Sequence, residues 1–489
     1  MTSVRRALAL SFLERYLSIM LALASNMVLA RLLTPHEIGL YSVTLAVIGV
    51  AQVLRDFGIG NYLIQEKEIT DAHVGTAFGI SLLLGGTLFL LVVMLAPVAA
   101  SFYEEPAMAT TMRIAALNFL VLPFCTVSMS LLRRAMRFQA LLYVSLGATA
   151  LSLLVTVALA WSGWGANSMA VGSVVQSLAI ALGTWLASQD RLLHMPTLVL
   201  WRPLLRFGGQ SALTNVVTTI SMDANDLVVG KVLGFQSVAM ISRAQGLMNL
   251  FHRDVMGAIR NVAMPAFAQA HREGQADAAI FGRALSLLTV FAWPFYGLTA
   301  MFALEVLRLL FGLQWDAAAS MVPIFCLSGA LGALNSLVPS WLVAVGRIDL
   351  LTRMELLVQP LRLLLVVAAA LVWRSVEAVA IAFLLSSLVA APGFLWAANR
   401  ATPGIFKVLM PSVAPSLLVA SFVLLPALVC TTVFGLDRQQ PLPLVWLAAS
   451  VAAGIALGLA ACERVNHPLC REPAYQSLKA RLWRMFTWV

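Results

Sequence analysis

The stretch that decides the fold is GTAFGISLLLGGTLFLLVVMLAPVAA, residues Gly75–Ala100. It contains no Asp, Glu, Lys or Arg, and it is longer than the roughly 20 apolar residues with which a helix crosses a hydrocarbon core about 30 Å thick. Similar runs recur from end to end of the 489-residue chain. Barrels show short alternating segments instead. The sequence therefore predicts an all-α polytopic membrane protein.

The composition supports this prediction and excludes several other classes of protein. Hydrophobic residue types make up 61% of the chain and charged types 11%, and the mean hydropathy is +0.89. Soluble domains are about one quarter charged. A soluble enzyme, a disordered chain and a coiled coil are therefore excluded. The five cysteines form no CxxC pair, so packing is favoured over a disulfide framework or a metal site.

Hydropathy divides the chain into about fourteen predicted spans. They are Ser11–Leu33, Gly39–Ile64, Gly75–Ala100, Ala107–Leu132, Ala140–Trp161, Gly165–Ala187, Gly208–Val232, Phe235–Phe267, Ala284–Phe311, Ala317–Ala344, Thr352–Trp373, Val376–Ala397, Pro411–Phe434 and Leu442–Ala461. With both termini placed in the cytoplasm, the outer loops carry only four basic residues, Arg31, Lys231, Arg374 and Arg438, and the inner loops carry most of the others. This asymmetry follows the positive-inside rule and predicts that orientation.

A weak internal repeat indicates two similar halves. RLLTPHEIGLYS at Arg31–Ser42 resembles KVLGFQSVAMIS at Lys231–Ser242. Six predicted spans separate the copies, so both have the same orientation, and transporters built from such parallel repeats bind substrate between the halves. The predicted organisation is a six-helix lobe at 1–206, a second at 207–400, two extra helices at 401–462 and a basic amphipathic cytoplasmic tail at 463–489.

Polar and ionisable side chains within the spans identify candidate substrate residues. A charged residue at a helix centre costs roughly 2.5 to 3.5 kcal/mol on insertion scales, so such residues usually face a wet cavity. The candidates for binding an anionic head group such as a diphosphate are Arg15, Asn26, Gln52, Arg55, Asn249, Arg253 and Arg260. The guanidinium fork suits phosphate oxygens. The alternative is that the arginines snorkel or pair with neighbouring carboxylates.

The carboxylates within the spans are candidates for ion coupling. Asp223, Asp226 and Glu355 could bind a proton or a sodium ion, because intramembrane carboxylates often act as relays. They could instead neutralise Arg243 or Arg362. His252 is interpreted as a satisfied interfacial histidine. The chain contains no GxxxxGK[ST] phosphate loop, so neither ATP hydrolysis nor a cofactor is expected.

Several of these segments resemble one known family. ARLLTPHEIGLY at 30–41, QVLRDFGIG at 52–60 and DLVVGKVLG at 226–234 resemble the polysaccharide transporter family, which contains the Wzx-type flippases of the multidrug/oligosaccharidyl-lipid/polysaccharide (MOP) exporter superfamily. In the second half, Val238–Ser242 departs from the Gly-Tyr pair that is frequent in the family. The resemblance is most specific near the N-terminus and mainly topological elsewhere.

The resemblance implies two six-helix lobes around a cavity that opens alternately inward and outward. It implies that undecaprenyl-diphosphate-linked oligosaccharide repeat units move from the cytoplasmic to the periplasmic leaflet of a bacterial inner membrane. Arg15, Arg55, and Arg253 or Arg260 match the cavity arginines of related flippases by helix, and Asp223 and Asp226 match an acidic cation site on helix 7. The two helices after Ala397 resemble those that hold a lipid tail in lipid-exporting relatives.

The predicted function is thus a flippase, whose partners would be its lipid-linked substrate, membrane lipids and the polysaccharide polymerase and export machinery, with no nucleic acid. Two alternatives differ in their expected features. A small-molecule antiporter of the same superfamily would have a smaller, more aromatic cavity with fewer basic residues. A membrane-embedded polymerase or ligase would carry a large periplasmic loop, whereas the predicted outer loops Ser101–Pro106 and Gly435–Pro441 are short.

Overall fold

The computed structural model describes residues 17, 20–56, 59–66, 68–187, 195–202, 204, 224–274, 278–435, 441–473, 475–477 and 479. Within these residues the chain is helical and forms no β-strand. The helices are α1 Met20–Leu32, α2 Pro35–Asp56, α3 Ile59–Gln65, α4 Asp71–Tyr103, α5 Pro106–Ala116, α6 Asn118–Arg134, α7 Phe138–Trp161, α8 Ala166–Ala187, α9 224–233, α10 Phe235–Asn249, α11 Met256–Arg272, α12 Ala278–Met301, α13 Ala303–Leu310, α14 Val322–Asn335, α15 Val338–Ala344, α16 Ile348–Val372, α17 Val376–Ala401, α18 Ile405–Phe434 and α19 Leu444–Arg464.

Ten helical segments of the described residues are long and apolar enough to cross a membrane. Helix α4 shows why water cannot be their surroundings, because Leu90 and Met94 are 60% and 76% exposed in the middle of an apolar helix. Such surface is stable against lipid tails and costly against water. The chain is therefore a multi-pass membrane protein, and the predicted all-α class is confirmed. The predicted count of about fourteen spans is consistent with the ten. Parts of the predicted first, second and seventh spans lie outside the described residues, and the eighth is divided into helices of 15 and 17 residues by a π-helical turn.

The chain divides into two compact units, residues 1–239 and residues 240–489. Unit 1 holds α1 to α9 and the start of α10, and unit 2 holds the rest. The four-part organisation expected from the sequence stays a prediction, as does a cavity between two lobes.

Several predicted spans are interrupted helices. The fourth is divided at Leu117 into α5 and α6, and Pro123 in α6 leaves the Phe119 carbonyl without the amide that would normally bond it. That carbonyl lies where α4 comes closest to α6, since a Cβ on Gly85 would be 2.3 Å from it. The predicted ninth span is divided at Phe302 into α12 and the short α13. The sequence stays apolar across both breaks, so hydropathy did not predict them.

Helices α18 and α19 pack on each other through small residues. A Cβ on Gly454 would lie 2.3 Å from the carbonyl oxygen of Val423, and a Cβ on Gly458 would lie 2.4 Å from a methyl group of the same valine. The spacing of four residues places both glycines on one face of α19, and small residues at this spacing let membrane helices approach closely. Helix α18 also packs along α12, so the two extra helices belong to the body of unit 2.

A buried histidine fixes the segment that follows α19. His467 has no exposed surface, and its Nδ1 accepts a hydrogen bond of 3.1 Å from the Leu469 amide. Its Nε2 must therefore carry the proton, and it lies 3.0 Å from the hydroxyls of both Ser286 and Ser416. These serines belong to α12 and α18. The imidazole thus binds the C-terminal segment to two helices while it is neutral.

Acidification is expected to destabilise this arrangement. Burial lowers the pKa of His467 below its ordinary value, so the unfolded imidazole takes up a proton at a higher pH than the folded one. Stability should be constant above about pH 7 and fall below about pH 6.5, by at most about 1.4 kcal/mol per pH unit, until the folded imidazole titrates. Thermal unfolding in detergent between pH 8 and pH 5 measures this.

His467→Gln should remove that part of the pH dependence, and His271→Gln provides the control because His271 is exposed at the end of α11. An unchanged profile in His467→Gln would show that other groups are responsible.

The predicted amphipathic tail helix is described only near its start, where the Lys479 ammonium pairs with the Glu463 carboxylate at 2.7 Å. The rest of that prediction lies outside the described residues.

Candidate functional site

The predicted eighth span contains a local change of helical type. Between α10 and α11, residues Leu250–Val255 form a π-helical turn. A π turn inserts extra backbone, rotates the following side chains and is frequent at functional sites. It carries His252 and Arg253, and Arg260 follows two turns later in α11.

The imidazole of His252 lies against bare backbone. A Cβ on Gly332 of α14 would be 3.3 Å from Cε1 and 3.6 Å from Nδ1 of this ring, so a larger residue would press on it. Nδ1 is buried and has no hydrogen-bond partner among the described residues. Buried polar atoms without partners are rare, and each calls for an explanation such as an ordered water or a bound ligand.

Arg260 folds back over the same turn. Its Nη2 lies 3.5 Å from the carbonyl oxygen of His252, and its charge acts on both His252 and Tyr296. Tyr296 belongs to α12 and is 1% exposed, and its hydroxyl is also buried without a partner in the described part of the chain. Its ring packs against Phe251 at a centroid distance of 5.7 Å. The guanidinium of Arg260 thus acts on two residues, His252 and Tyr296, that each have a buried polar atom without a hydrogen-bond partner among the described residues.

A second guanidinium comes from α16. Arg362 lies over the ring of Phe383 at 5.5 Å, and its Nε donates to the Ser386 hydroxyl at 3.4 Å. Its charge also acts on His252. Glu355, two turns earlier on α16, is the carboxylate that acts on Arg362, and it accepts a hydrogen bond of 2.9 Å from Gln359.

We call His252, Arg260, Tyr296 and Arg362 the cationic cluster of unit 2. Three helices and one π turn supply it, and it contains two guanidinium groups, whereas the carboxylate of Glu355 acts on Arg362 alone among the described contacts. Guanidinium groups, a phenol and an imidazole can all donate hydrogen bonds. The arrangement is therefore suited to an anion with several acceptor oxygens, such as a phosphate or diphosphate.

The other predicted substrate residues are distributed differently. Arg253 is exposed and Asn249 is half-buried on the same span, and neither is placed in the cluster by a described contact. Asn26 is exposed, and its amide donates to the Ala22 carbonyl at 2.9 Å. Gln52 lines a polar cavity within unit 1. Of the seven candidates, Arg260 is thus the one that the described contacts place in the cluster.

The remaining candidates are only partly described. Arg15 and Asp223 lie outside the described residues, and for Arg55 only the backbone, in the last turn of α2, is described. Asp226 is half-buried in α9. The carboxylate of Glu355 acts on Arg362, as expected from the alternative that Glu355 neutralises this arginine. A role of Glu355 in ion coupling stays a prediction.

Other intramembrane charges in unit 2 have structural partners. Arg243 lies between Phe311 and Trp315, 5.0 Å and 4.9 Å from their ring centroids. Arg308 forms a two-pronged hydrogen bond with Asp316 at 2.8 and 2.6 Å.

Sequence reasoning did not assign three members of the cluster to the site. His252 was interpreted as satisfied, Arg362 was considered only as a charge that an intramembrane carboxylate could neutralise, and Tyr296 gave no signal. The spacing of eight residues between His252 and Arg260 turns an ideal α-helix about 80° beyond two full turns, so it did not join His252 to the predicted arginines.

Comparison with known proteins identifies the family. The model of a family described as polysaccharide biosynthesis protein matches residues 28–320, more than half of the chain. The lipopolysaccharide biosynthesis protein WzxC of Escherichia coli (strain K12) is 25% identical over 335 residues, which are 68% of this chain and 68% of that relative. The succinoglycan biosynthesis transport protein ExoT of Rhizobium meliloti (strain 1021) is 25% identical over 324 residues, 65% of each chain.

The fold is similar to that of a solved lipid transporter. The lipid II flippase MurJ, in an inward closed conformation, superimposes with a TM-score of 0.71 over 93% of this chain and 97% of its own, at 14% sequence identity. At this identity the likeness concerns the fold. The family was predicted from the motifs near the N-terminus, and the match over residues 28–320 confirms it: the chain belongs to the polysaccharide biosynthesis protein family.

Proposed function

We propose that this protein is a flippase that moves undecaprenyl-diphosphate-linked oligosaccharide repeat units from the cytoplasmic to the periplasmic leaflet of a bacterial inner membrane. The units would then enter exopolysaccharide, capsule or O-antigen synthesis. Family membership, the flippase-like fold and a relative named as a transport protein support the proposal. Both termini are proposed to be cytoplasmic, and the polysaccharide polymerase and export machinery are proposed partners.

The observation that carries the proposal is the cationic cluster of unit 2. Arg260 and Arg362 belong to different helices and both carry charges that act on His252, and the buried Nδ1 of His252 and hydroxyl of Tyr296 lack partners among the described residues. Burying such charges within a membrane protein is costly unless an anion or water compensates them. A lipid diphosphate supplies two negative charges and many acceptor oxygens, so it would compensate both guanidinium groups and accept hydrogen bonds from the cluster.

The same charges argue against the rival function of a cation antiporter. A site for an organic cation needs an excess of negative charge or an aromatic cage. Here the cluster contains two arginines, and among the described contacts Glu355 is the carboxylate that acts on one of them, Arg362. A cationic drug would have to approach uncompensated like charge, which is unfavourable in a medium of low dielectric constant.

We propose that transport is coupled to the membrane potential and to a proton or sodium ion. An anionic head group moving outward across an inside-negative membrane gains about 2.3 kcal/mol per charge per 100 mV. Fixed arginines that neutralise the head group would reduce this gain, and binding of a cation at Asp223, Asp226 or Glu355 would then reset the empty carrier. Transport in liposomes that responds to neither voltage nor ion gradients would contradict this coupling.

Deletion of the gene followed by lipid analysis tests the function. The expected result is that lipid-linked single repeats accumulate on the cytoplasmic leaflet and surface polysaccharide is lost, because the units are made but cannot cross. In reconstituted liposomes, undecaprenyl-diphosphate-linked N-acetylglucosamine loaded inside should become a substrate for an external galactosyltransferase only when the protein is present.

Two results would contradict the proposal. Unpolymerised repeats that have already reached the outer leaflet in the deletion strain would indicate a polymerase. Equal labelling in protein-containing and empty liposomes would show that the protein does not translocate the lipid.

A further inference from the structure

Unit 1 contains a polar cavity about halfway along its helices. It has a volume of about 190 Å³ and is lined by residues of α2, α5, α6 and α8. Half of the lining residues are apolar and half are uncharged polar residues. The polar half consists of Gln52, Asn118, Ser173, Gln176 and Ser177.

The helix break at Leu117 builds the polar wall. Because α5 stops at Ala116, the amide of Asn118 can donate to the Ala115 carbonyl at 3.1 Å and to the Ser173 hydroxyl at 2.9 Å. The Ser177 hydroxyl donates back to Asn118 Oδ1 at 2.6 Å. Asn118 is therefore held in one orientation between α6 and α8, as a binding site requires.

Two glutamines, one of them on a third helix, complete the wall. Gln52 is on α2, and Gln176 on α8 donates to the Thr149 hydroxyl of α7 at 3.2 Å. Each amide carries a carbonyl acceptor and an NH₂ donor. The cavity thus presents both donors and acceptors, whereas Leu45, Ile48 and Phe119 supply apolar surface on other sides.

The depth of the cavity makes a purely structural role costly. Ile48 lies 13 residues into α2 and Asn118 lies 12 residues after the start of α5, which at 1.5 Å per residue corresponds to about 18 to 20 Å along these helices. That is near the middle of a hydrocarbon core about 30 Å thick. Uncharged polar groups at this depth that line an open space favour a role in binding or in a substrate path.

The lining determines the class of ligand. Among the residues whose side chains the structure describes, no Asp, Glu, Lys or Arg lines the cavity, so these residues offer no charge that would compensate a bare cation or anion. The volume equals that of about six water molecules and is below the about 300 to 1,000 Å³ of pockets for drug-sized molecules. A sugar ring is small and neutral, and has hydroxyls on its edge and C–H groups on its faces, which matches amides and hydroxyls beside aliphatic and aromatic surface.

We propose that this cavity is a carbohydrate subsite that binds one sugar ring of the translocated oligosaccharide. The inference rests on the proposed flippase function and deepens it. The cationic cluster of unit 2 would bind the lipid diphosphate irrespective of the sugars, and the cavity of unit 1 would select for the sugar. Specificity for hydroxyls would arise because the amides lose partners when a hydroxyl is missing.

The test uses the full-length protein in nanodiscs, titrated with the free repeat-unit oligosaccharide released from the polysaccharide that the producing bacterium exports. Wild-type protein should bind it with a Kd in the millimolar range, as expected for a few hydrogen bonds to a neutral ligand. Gln52→Leu and Gln176→Leu keep side-chain size and should each weaken binding by about tenfold or more. Thr184→Val is the matched control, since Thr184 lies on α8 outside the cavity and bonds only carbonyls of its own helix.

The outcomes separate this inference from the proposed function. Undecaprenyl diphosphate, which carries no sugar, should bind wild-type protein and the Gln176→Leu variant equally. If wild-type protein binds that lipid but not the oligosaccharide, or if both leucine variants bind the oligosaccharide normally, the carbohydrate subsite is wrong and the flippase proposal stands. If sodium ions stabilise wild-type protein and this stabilisation is lost in both leucine variants, the cavity is a cation site and the inference is overturned. If the oligosaccharide binds as expected but liposomes show no translocation, the flippase proposal fails instead.

Discussion

Arg260→Gln is expected to lower the initial rate of lipid-diphosphate translocation in liposomes by about 10- to 100-fold, and Arg362→Gln should have a similar effect. A hydrogen bond to a charged group contributes about 1.5 to 3 kcal/mol, and its loss in a desolvated site has a full effect on binding. Both guanidiniums act on His252, so they belong to one electrostatic site. The double variant should therefore lose less than the product of the two single effects.

Arg272→Gln is the matched control for this prediction. Arg272 is the last residue of α11, the helix that carries Arg260, but it is exposed. Its removal should leave transport unchanged. Arg260→Lys should recover part of the activity, because it retains the charge and loses the two-pronged geometry. Each variant must elute from size exclusion as the wild-type protein does.

Two results would remove the cluster from the mechanism. Normal transport by Arg260→Gln and Arg362→Gln would show that the substrate is bound elsewhere. An equal loss in Arg272→Gln would show that the effect depends on total charge and not on the site.

The fold could be predicted to a large extent because the membrane imposes a simple rule on composition. The runs that became α4 and α7 have almost no charge, and a bilayer leaves such runs only the helical state. The interruption at Leu117 was not predicted. Pro123 lies six residues after the break, inside α6, and prolines also occur inside α4 and α18 without ending them, so the proline pattern does not locate the interruption.

The candidate site was predictable only in part. Arg260 was identified because placing a charged side chain within a membrane span costs free energy, and this cost follows from the residue type alone. Tyr296 could not be identified, because a tyrosine among aromatic residues costs little and its unpartnered hydroxyl is a property of its surroundings. Gln52 was identified, whereas Asn118 and Gln176 were not. Asn118 and Gln176 line the same cavity as Gln52 only because α6 and α8 pack beside α2. Hydropathy does not give the rotation of each helix about its axis, so the sequence did not predict which side chains share the cavity.

Gly39→Ala is expected to destabilise the protein strongly, although alanine usually stabilises a helix relative to glycine by about 0.5 to 1 kcal/mol. A Cβ at this position would lie 1.8 Å from the carbonyl oxygen and 2.4 Å from the carbonyl carbon of Phe235. The obstacle is backbone, so a change of rotamer cannot relieve it. We expect a cost of about 1 to 3 kcal/mol from overpacking, or failure to accumulate folded protein.

Gly86→Ala is the control, because Gly86 is also inside a helix, α4, and a Cβ there would meet nothing within 4 Å. It should leave the melting temperature unchanged or raise it, while Gly39→Ala lowers it. Thermal unfolding in detergent, followed by tryptophan fluorescence, measures the difference between the two variants.

The contact explains why a short motif near the N-terminus carried the family resemblance. Gly39 belongs to the first copy of the internal repeat, Arg31–Ser42, and Phe235 belongs to the second, so the two copies meet at backbone distance. His36 adds an edge-on contact with the Phe235 ring at 5.5 Å. If Gly39→Ala melts like the wild-type protein, α2 and α10 can separate without cost, and the glycine must be explained by something other than this approach. If Gly39→Ala is destabilised and Gly86→Ala is not, the motif serves to pack α2 against α10. The residues that select the substrate would then lie elsewhere in the spans.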